Sequence, residues 1–138
     1  MPVIRCGQPG DLAEVAAIQA ASPEAAQWPV AEYMQHDFHV SVHADRVVGF
    51  LVSRTVAQGE CELLNLVVAT EFRRQGVGHA LISPLLAAPG TVVYLEVRES
   101  NEIALQFYKS LGFLEVNRRT QYYDSPLEAA IVMKFHSC

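Results

Sequence analysis

The segment Leu63 to Gly78, LLNLVVATEFRRQGVG, constrains this chain more than any other. It begins with an apolar run broken only by Asn65, a pattern that suits a strand covered on both faces. It ends in Arg73-Arg74-Gln75-Gly76-Val77-Gly78 and leads into a helical segment through about Ala87. A loop of this kind points successive backbone N–H groups and the positive end of a helix at one spot, and its glycines let an anion approach the backbone closely. A pyrophosphate would fit there, with Arg73 and Arg74 adding charge-assisted contacts. The same residues also suit a plain left-handed connection with two solvated arginines. Their spacing matches neither the Walker loop nor the dinucleotide fingerprint, which leaves an ATPase or a dehydrogenase without support.

The rest of the chain alternates strands and helices, without an internal repeat or linker. Val3 and Ile4 open a short strand. Asp11 and Glu14 stand at capping-box spacing before Leu12, Val15 and Ile18, which predicts a first helix ending before Ser22-Pro23. Trp28-Pro29 starts a second short helix through about Gln35. Phe38, Val40 and Val42 alternate with His39, Ser41 and His43 ahead of a turn at Ala44 to Arg46, a hairpin signature. Pro84 should kink or shorten the helix that follows the glycine loop. Thr91 to Arg98 reads as a strand with Val93, Leu95 and Val97 on one face and Tyr94, Glu96 and Arg98 on the other. SNEIALQFYKSLGF is then a helix capped by Ser100 or Asn101, with Ile103, Phe107 and Leu111 as its buried stripe and Gly112 as a left-handed stop. Two strands close the chain, about Phe113 to Arg119 and Ala129 to Phe135, around a polar turn at Tyr123-Asp124-Ser125-Pro126. The order is that of an α+β fold with mixed strands.

Length and composition narrow the function. With 138 residues, 51% of them hydrophobic, the chain is expected to form one domain that buries most of its unfolded surface. No stretch reaches the roughly 20 apolar residues needed to span a bilayer, and MPVIRCGQPGDL has no apolar run behind a basic segment, so the expectation is a soluble, cytoplasmic protein. Cys6, Cys61 and Cys138 are odd in number and lack ligand spacing, which argues against a disulfide framework, a zinc site or any other metal centre. The net charge of −5 lacks the basic face of a nucleic-acid binder and favours cationic partners such as amines. His36, His39 and His43 have no metalloprotease spacing or carboxylate partner and read as surface or hairpin histidines. His79 opens the helix after the glycine loop, where it either touches phosphate or is simply exposed. No oligomeric state has a readable signature.

NLVVATEFRRQGVGHALI resembles the acetyl-CoA-binding motif of the GNAT family of N-acetyltransferases, with R-x-x-G-x-G at Arg73, Gly76 and Gly78. LEVRESNEIALQFYKSLGF resembles the second half of that family's active site. LEVR-x-SN and the later RR-x-x-YY are similar to the subgroup that acetylates the N-terminal alanine of a ribosomal protein. The resemblance implies a GNAT-like α+β fold: a central twisted, mostly antiparallel sheet with helices on both faces, whose fourth and fifth strands splay around the pantetheine arm of acetyl-CoA. It places backbone groups of Leu66, Val67 and Val68 on that arm. The loop of Arg73, Arg74, Gln75, Gly76, Val77 and Gly78, with His79 beside it, falls on the pyrophosphate, and Asn101 near the cofactor. Tyr108 matches the tyrosine beside the sulfur and Glu96 the proposed general base; Tyr122 and Tyr123 either line the acceptor side or pack in the core.

Amine chemistry agrees with those roles. Only a neutral amine attacks a thioester; an α-amino group of pKa about 8 is roughly one unit from neutral pH, a lysine of about 10.4 more than three, a gap of about 1.4 against 4.6 kcal/mol. One carboxylate, directly or through water, suffices more readily for the first. Glu96 either fills this role or is a surface acid paired with Arg98 or a neighbour. Tyr108, as a phenol, can protonate the departing thiolate, or it packs at the helix edge. The expected activity is acetyl-CoA-dependent acetylation of a protein N-terminal amine. The alternatives are acetylation of a small amine and a regulatory module that binds acetyl-CoA without turnover, though a pure binder needs neither Glu96 nor Tyr108.

Overall fold

The computed structural model describes residues 2–124 and 127–137, and the side chains of 121–124 and 127 lie outside that description. The strands are β1 (Val3–Cys6), β2 (Asp37–His43), β3 (Arg46–Ala57), β4 (Glu60–Val68), β5 (Val92–Arg98), β6 (Leu114–Asp124) and β7 (Leu127–His136). The helices are α1 (Leu12–Ala20), α2 (Val77–Ala87) and α3 (Glu102–Ser110). Hydrogen bonds join the strands in the order β1-β2-β3-β4-β5-β7-β6, with β4 and β5 parallel. The chain divides into two compact units, Met1–Arg54 with Leu63–Ala87 and Thr55–Glu62 with Ala88–Cys138.

In the first unit the expected hairpin forms. β2 and β3 pair antiparallel through a two-residue turn with Ala44 and Asp45 both at positive φ, which matches the twist of the flanking strands. Its core joins Val15 of α1 to Tyr33, Phe38, Val40, Val47, Phe50, Val52 and Val67. Burial on both faces belongs to β3, where every residue from Val47 to Ser53 is buried, and not to Leu63–Val68. β4 instead alternates, with Cys61, Leu63, Asn65 and Val67 buried and the residues between them half-buried. An apolar run is compatible with either pattern, and the neighbouring layers decide which strand is covered twice.

Two local expectations shift. The Asp11–Glu14 capping box does not form. Asp11 accepts from the Gln8 N–H at 2.8 Å and pairs with Arg5, whose guanidinium holds its carboxyl below the usual carboxylate range. Glu14, within α1, turns its carboxylate to accept from the Val47 N–H at 2.9 Å. The segment after Trp28 is a 3-10 turn, Val30–Gln35, with Pro29 as its N-cap instead of its first helical residue.

Asn65 is the polar residue that interrupts the apolar strand, and it is buried. Its amide donates to the Ala26 carbonyl at 2.9 Å, to Gln19 Oε1 at 3.1 Å and to the Tyr33 hydroxyl at 3.2 Å. Gln19 in turn donates to the Trp28 carbonyl, and the Trp28 indole donates to the Leu64 carbonyl at 3.0 Å. The segment Ala26–Trp28 is thereby tied to β4. Replacing Asn65 by leucine leaves several buried polar groups without partners, so Asn65→Leu is expected to cost about 2–3 kcal/mol. Chemical denaturation checks this; a loss below about 0.5 kcal/mol would mean that the network is dispensable.

In the second unit β5 behaves as its sequence predicts, with Val93, Leu95 and Val97 buried and the alternate side chains half-buried. Asn101 caps α3, its Oδ1 accepting from the Ala104 N–H at 3.2 Å. The helix stops at Gly112 (φ +105), where the Phe113 N–H donates back to the Tyr108 carbonyl at 3.0 Å. The buried stripe, however, is displaced by one residue. Ile103 is 79% exposed and Phe107 only half-buried, while Tyr108 is buried. The cause is aromatic packing: Tyr108 meets Phe113 edge-on at 5.4 Å, and Phe113 packs against Phe135 of β7 at 5.4 Å. β6 and β7 extend beyond the predicted strands and pair antiparallel; the turn expected at Tyr123 to Pro126 falls partly outside the described residues.

Candidate functional site

The glycine loop lies wholly in the first unit. After β4 the chain makes a 3-10 turn at Thr70–Phe72, then bends through Arg74 (φ +62) and Gly76 (φ +82) into α2. Gly76 has open space where a side chain would stand, yet its φ disfavours any L residue, most of all a β-branched one. Gly49 on β3 is the second glycine that geometry requires. A Cβ there would lie 3.2 Å from the Val67 carbonyl and from Val77, and 3.3 Å from Leu81, so its absence lets α2 close onto the strands. Val77 is buried, and only its backbone is available to a ligand. The N–H groups of Val77, Gly78 and His79 occupy the first turn of α2, where such groups lack helical acceptors.

The two arginines have separate surroundings. Arg73 donates to the Val68 carbonyl at 3.0 Å and to the Ser22 hydroxyl at 2.9 Å, and it pairs with Glu24 at 3.3 Å; its guanidinium braces the loop against β4 and the Ser22–Glu24 segment. Arg74 is exposed and enters no ion pair among the described residues, which leaves it able to meet a phosphate. Gln75 donates to the Glu71 carbonyl, and His79 stands exposed with its Nδ1 3.1 Å from the Ser83 hydroxyl. Pro84 sits inside α2, which nonetheless continues to Ala87. Leu66 and Val68 are half-buried on β4 on either side of buried Val67. The donor set fits a diphosphate: first-turn N–H groups, a free cation and open space beside Gly76.

The acid–base candidates lie wholly in the second unit. Glu96 stands on the less buried face of β5, its side chain 20% exposed, in a cavity of about 230 Å³ that Glu62, Tyr94, Arg119 and Val132 also line. Its Oε1 lies 3.2 Å from the Arg119 guanidinium. The neighbour predicted as its alternative partner, Arg98, is engaged elsewhere, 3.0 Å from Glu128 of β7. Glu128 also accepts from the Ser100 N–H and hydroxyl, and Arg98 beside it holds its carboxyl below the usual carboxylate range. That clamp fixes the end of β5 to the start of α3, where Asn101 spends its carbonyl oxygen on the helix cap.

Tyr108 is not at a wet helix edge, as its spacing suggested, but 7% exposed between Phe107 and Phe113. Burial pushes its phenol pKa well up, so the proton stays on oxygen through the physiological range. Its hydroxyl makes no hydrogen bond among the described residues.

The remaining candidates behave as side chains of the fold. His36 and His39 are half-buried, His39 Nε2 being 3.9 Å from the exposed Cys6 thiol, and His43 packs edge-on against Phe72 at 5.5 Å. Cys61 is buried. Among the described residues no three His, Cys, Asp or Glu side chains group to hold a metal ion, and no helix is long and apolar enough to cross a membrane. The side chains of Tyr122 and Tyr123, and all of Cys138, lie outside the described residues. Sequence reasoning missed Glu62 and Arg119. Glu62 carried a signal, since it precedes the apolar run at the strand phase of the half-buried positions; Arg119 carried only its place in RR-x-x-YY.

The sequence profile of the acetyltransferase (GNAT) family matches residues 12–113. The [ribosomal protein bS18]-alanine N-acetyltransferase of Salmonella typhimurium is 39% identical over 95 residues, 64% of this chain and 64% of that protein. The match therefore spans just under two thirds of that curated relative's length. The crystal structure of the ribosomal-protein-S18-alanine N-acetyltransferase from Escherichia coli superposes with a TM-score of 0.83 at 27% identity, covering 100% of this chain and 96% of that one. Ard1 from Thermoplasma volcanium superposes with a TM-score of 0.89 at 30% identity, covering 99% and 98%. The fold is the mixed α/β arrangement of these neighbours.

Proposed function

Because the chain belongs to the acetyltransferase (GNAT) family, we propose that it carries an acetyl group from acetyl-CoA to the α-amine of a protein N-terminus, of the ribosomal-protein-alanine type. The relatives' names support that acceptor, and the cytoplasm is where such an N-terminus would be met. The profile match runs through both compact units, which supports reading the chain as one catalytic domain. The observation that carries the proposal is Glu96, a half-buried carboxylate on the wet face of β5 in an open cavity.

In this reading the first unit binds. The N–H groups at the start of α2 and the Arg74 guanidinium meet the diphosphate, the backbone of Leu66 to Val68 meets the pantetheine, and Arg73 holds the loop in shape. Acetyl-CoA supplies the activated acyl group. The second unit moves protons. Glu96 takes the proton of the acceptor ammonium, directly or through water, so that its nitrogen lone pair can form the new C–N bond as the C–S bond breaks. Tyr108 holds a proton for the departing sulfur.

A thiol-release assay over a panel of N-terminal peptides and small amines tests the acceptor. Alanine-first peptides are expected to release coenzyme A faster than polyamines, amino acids or aminoglycosides, and release with the small amines alone would overturn the proposal. The binding half has its own test. A ligand selective for the folded state at a hundred times its Kd adds about 2.7 kcal/mol. Acetyl-CoA is expected to raise the melting temperature of the native chain accordingly, and Gly76→Val to remove most of that rise, because valine strains the loop at φ +82. Undiminished affinity by calorimetry in a folded Gly76→Val protein would exclude the loop as the phosphate site.

A further inference from the structure

The contact between Glu96 and Arg119 spans two strand spacings. Glu96 pairs in register with Val132 of β7, and Arg119 of β6 pairs with Ala130 on the other side of β7. Adjacent strands lie about 4.8 Å apart, so the two side chains together bridge close to 10 Å of sheet to bring the guanidinium to Oε1. It does so beside Val132, which lines the same cavity. The arginine side chain is 53% exposed, and a pair this open contributes little to folding. Stability does not account for so directed a reach.

The charges around Glu96 supply a reason. Glu62 of β4 opens on the same cavity, so that two carboxylates stand in one site. Two nearby cations are engaged with different partners: Lys134 of β7 stands 5.7 Å over the Tyr94 ring, and Arg98 is bound to Glu128. Arg119 is the cation in contact with the Glu96 carboxylate.

We propose that Arg119 is a positioning residue for acetyl transfer, holding the Glu96 carboxylate by Oε1 so that its second oxygen is presented to the acceptor amine. Its planar fork defines the orientation of the bound carboxylate, and lysine, a point charge on a different stem, replaces only the charge. The proposal rests on the acetyl-transfer reading for its kinetic part, but not for the placement of the Glu96 carboxylate.

The test uses Arg119→Gln, Arg119→Lys, Glu96→Gln and the Arg119→Gln/Glu96→Gln double variant. In the protein without ligands, the order of the Glu96 side chain followed by NMR relaxation is expected to fall in Arg119→Gln and less in Arg119→Lys, since the guanidinium fork fixes one carboxylate oxygen. In turnover, Arg119→Gln is expected to lower kcat/KM for the peptide roughly 10- to 100-fold at unchanged melting temperature and acetyl-CoA affinity, with partial rescue by lysine. The double variant should be no slower than Glu96→Gln alone, because a residue that acts only through Glu96 has nothing left to position. Unchanged Glu96 order in Arg119→Gln, or losses that add in the double variant, would overturn the assignment. If the native chain acetylates no acceptor, the acetyl-transfer reading fails, and the side-chain order still decides whether Arg119 holds Glu96.

Discussion

Glu96→Gln is expected to lower kcat/KM for an N-terminal peptide by roughly 10²- to 10⁴-fold at neutral pH, the range for loss of a general base. Glutamine keeps the shape of the side chain and a hydrogen-bonding oxygen for Arg119, but it accepts no proton. Acetyl-CoA affinity should be unchanged, since the residues proposed to hold the nucleotide belong to the other unit. Stability should change by less than about 1 kcal/mol, because the arginine arm of the ion pair is more than half exposed and glutamine keeps an oxygen for it. The deficit should depend on pH with a defined sign. Below an amine pKa of about 8 the acceptor is mostly protonated and needs the base; above it the amine is already neutral, and native and variant rates converge. Initial rates from pH 6 to 10 check this. Curves of the same height and shape for both proteins would remove Glu96 from the mechanism.

The parts of this site that were legible in the sequence are those governed by local periodicity and turn chemistry. The pleat of Val92–Arg98 places Glu96 opposite a buried Val93-Leu95-Val97 face because strand alternation depends only on neighbouring residues. Gly76 before one helix and Gly112 after another have the positive φ that a glycine at a helix boundary favours. Long-range choices were not legible. Asp11 and Glu14 have the spacing of a capping box, but Arg5 and the Val47 N–H, distant in sequence, offer them better partners. Arg73 stands in the R-x-x-G-x-G pattern expected to meet phosphate, yet Ser22, some fifty positions earlier, takes its guanidinium. The α3 stripe moved by one residue because Phe113 and Phe135 form an aromatic stack that periodicity within the helix does not contain. Arg119 reaches Glu96 across β7, a contact visible only once the strand order is known.

That displaced stripe changes what is expected of Tyr108→Phe. The ring is core, wedged against Phe107 and Phe113, and phenylalanine preserves both contacts. The hydroxyl makes no hydrogen bond among the described residues, so its removal is expected to change folding free energy by no more than about 0.5 kcal/mol. Its absence should instead appear in turnover, with kcat and kcat/KM falling together, as for an interaction made chiefly in the transition state. The size follows from burial. A phenol whose pKa is pushed upward gives its proton to sulfur less readily than an ordinary one, which places the loss nearer 10² than 10⁴ in the usual range for a general acid. The same burial predicts an alkaline signature. A folded pKa above the unfolded value of about 10 means that the unfolded chain loses its proton first, so stability is intact below pH 10 and declines as pH rises beyond it. Tyr108→Phe should flatten that decline in part, leaving the share of Tyr33, whose phenol is also raised by burial. A variant that loses stability in step with activity at neutral pH would make Tyr108 a packing residue alone. Native-like turnover, with the chemical step rate-limiting, would leave the thiolate to take its proton from water.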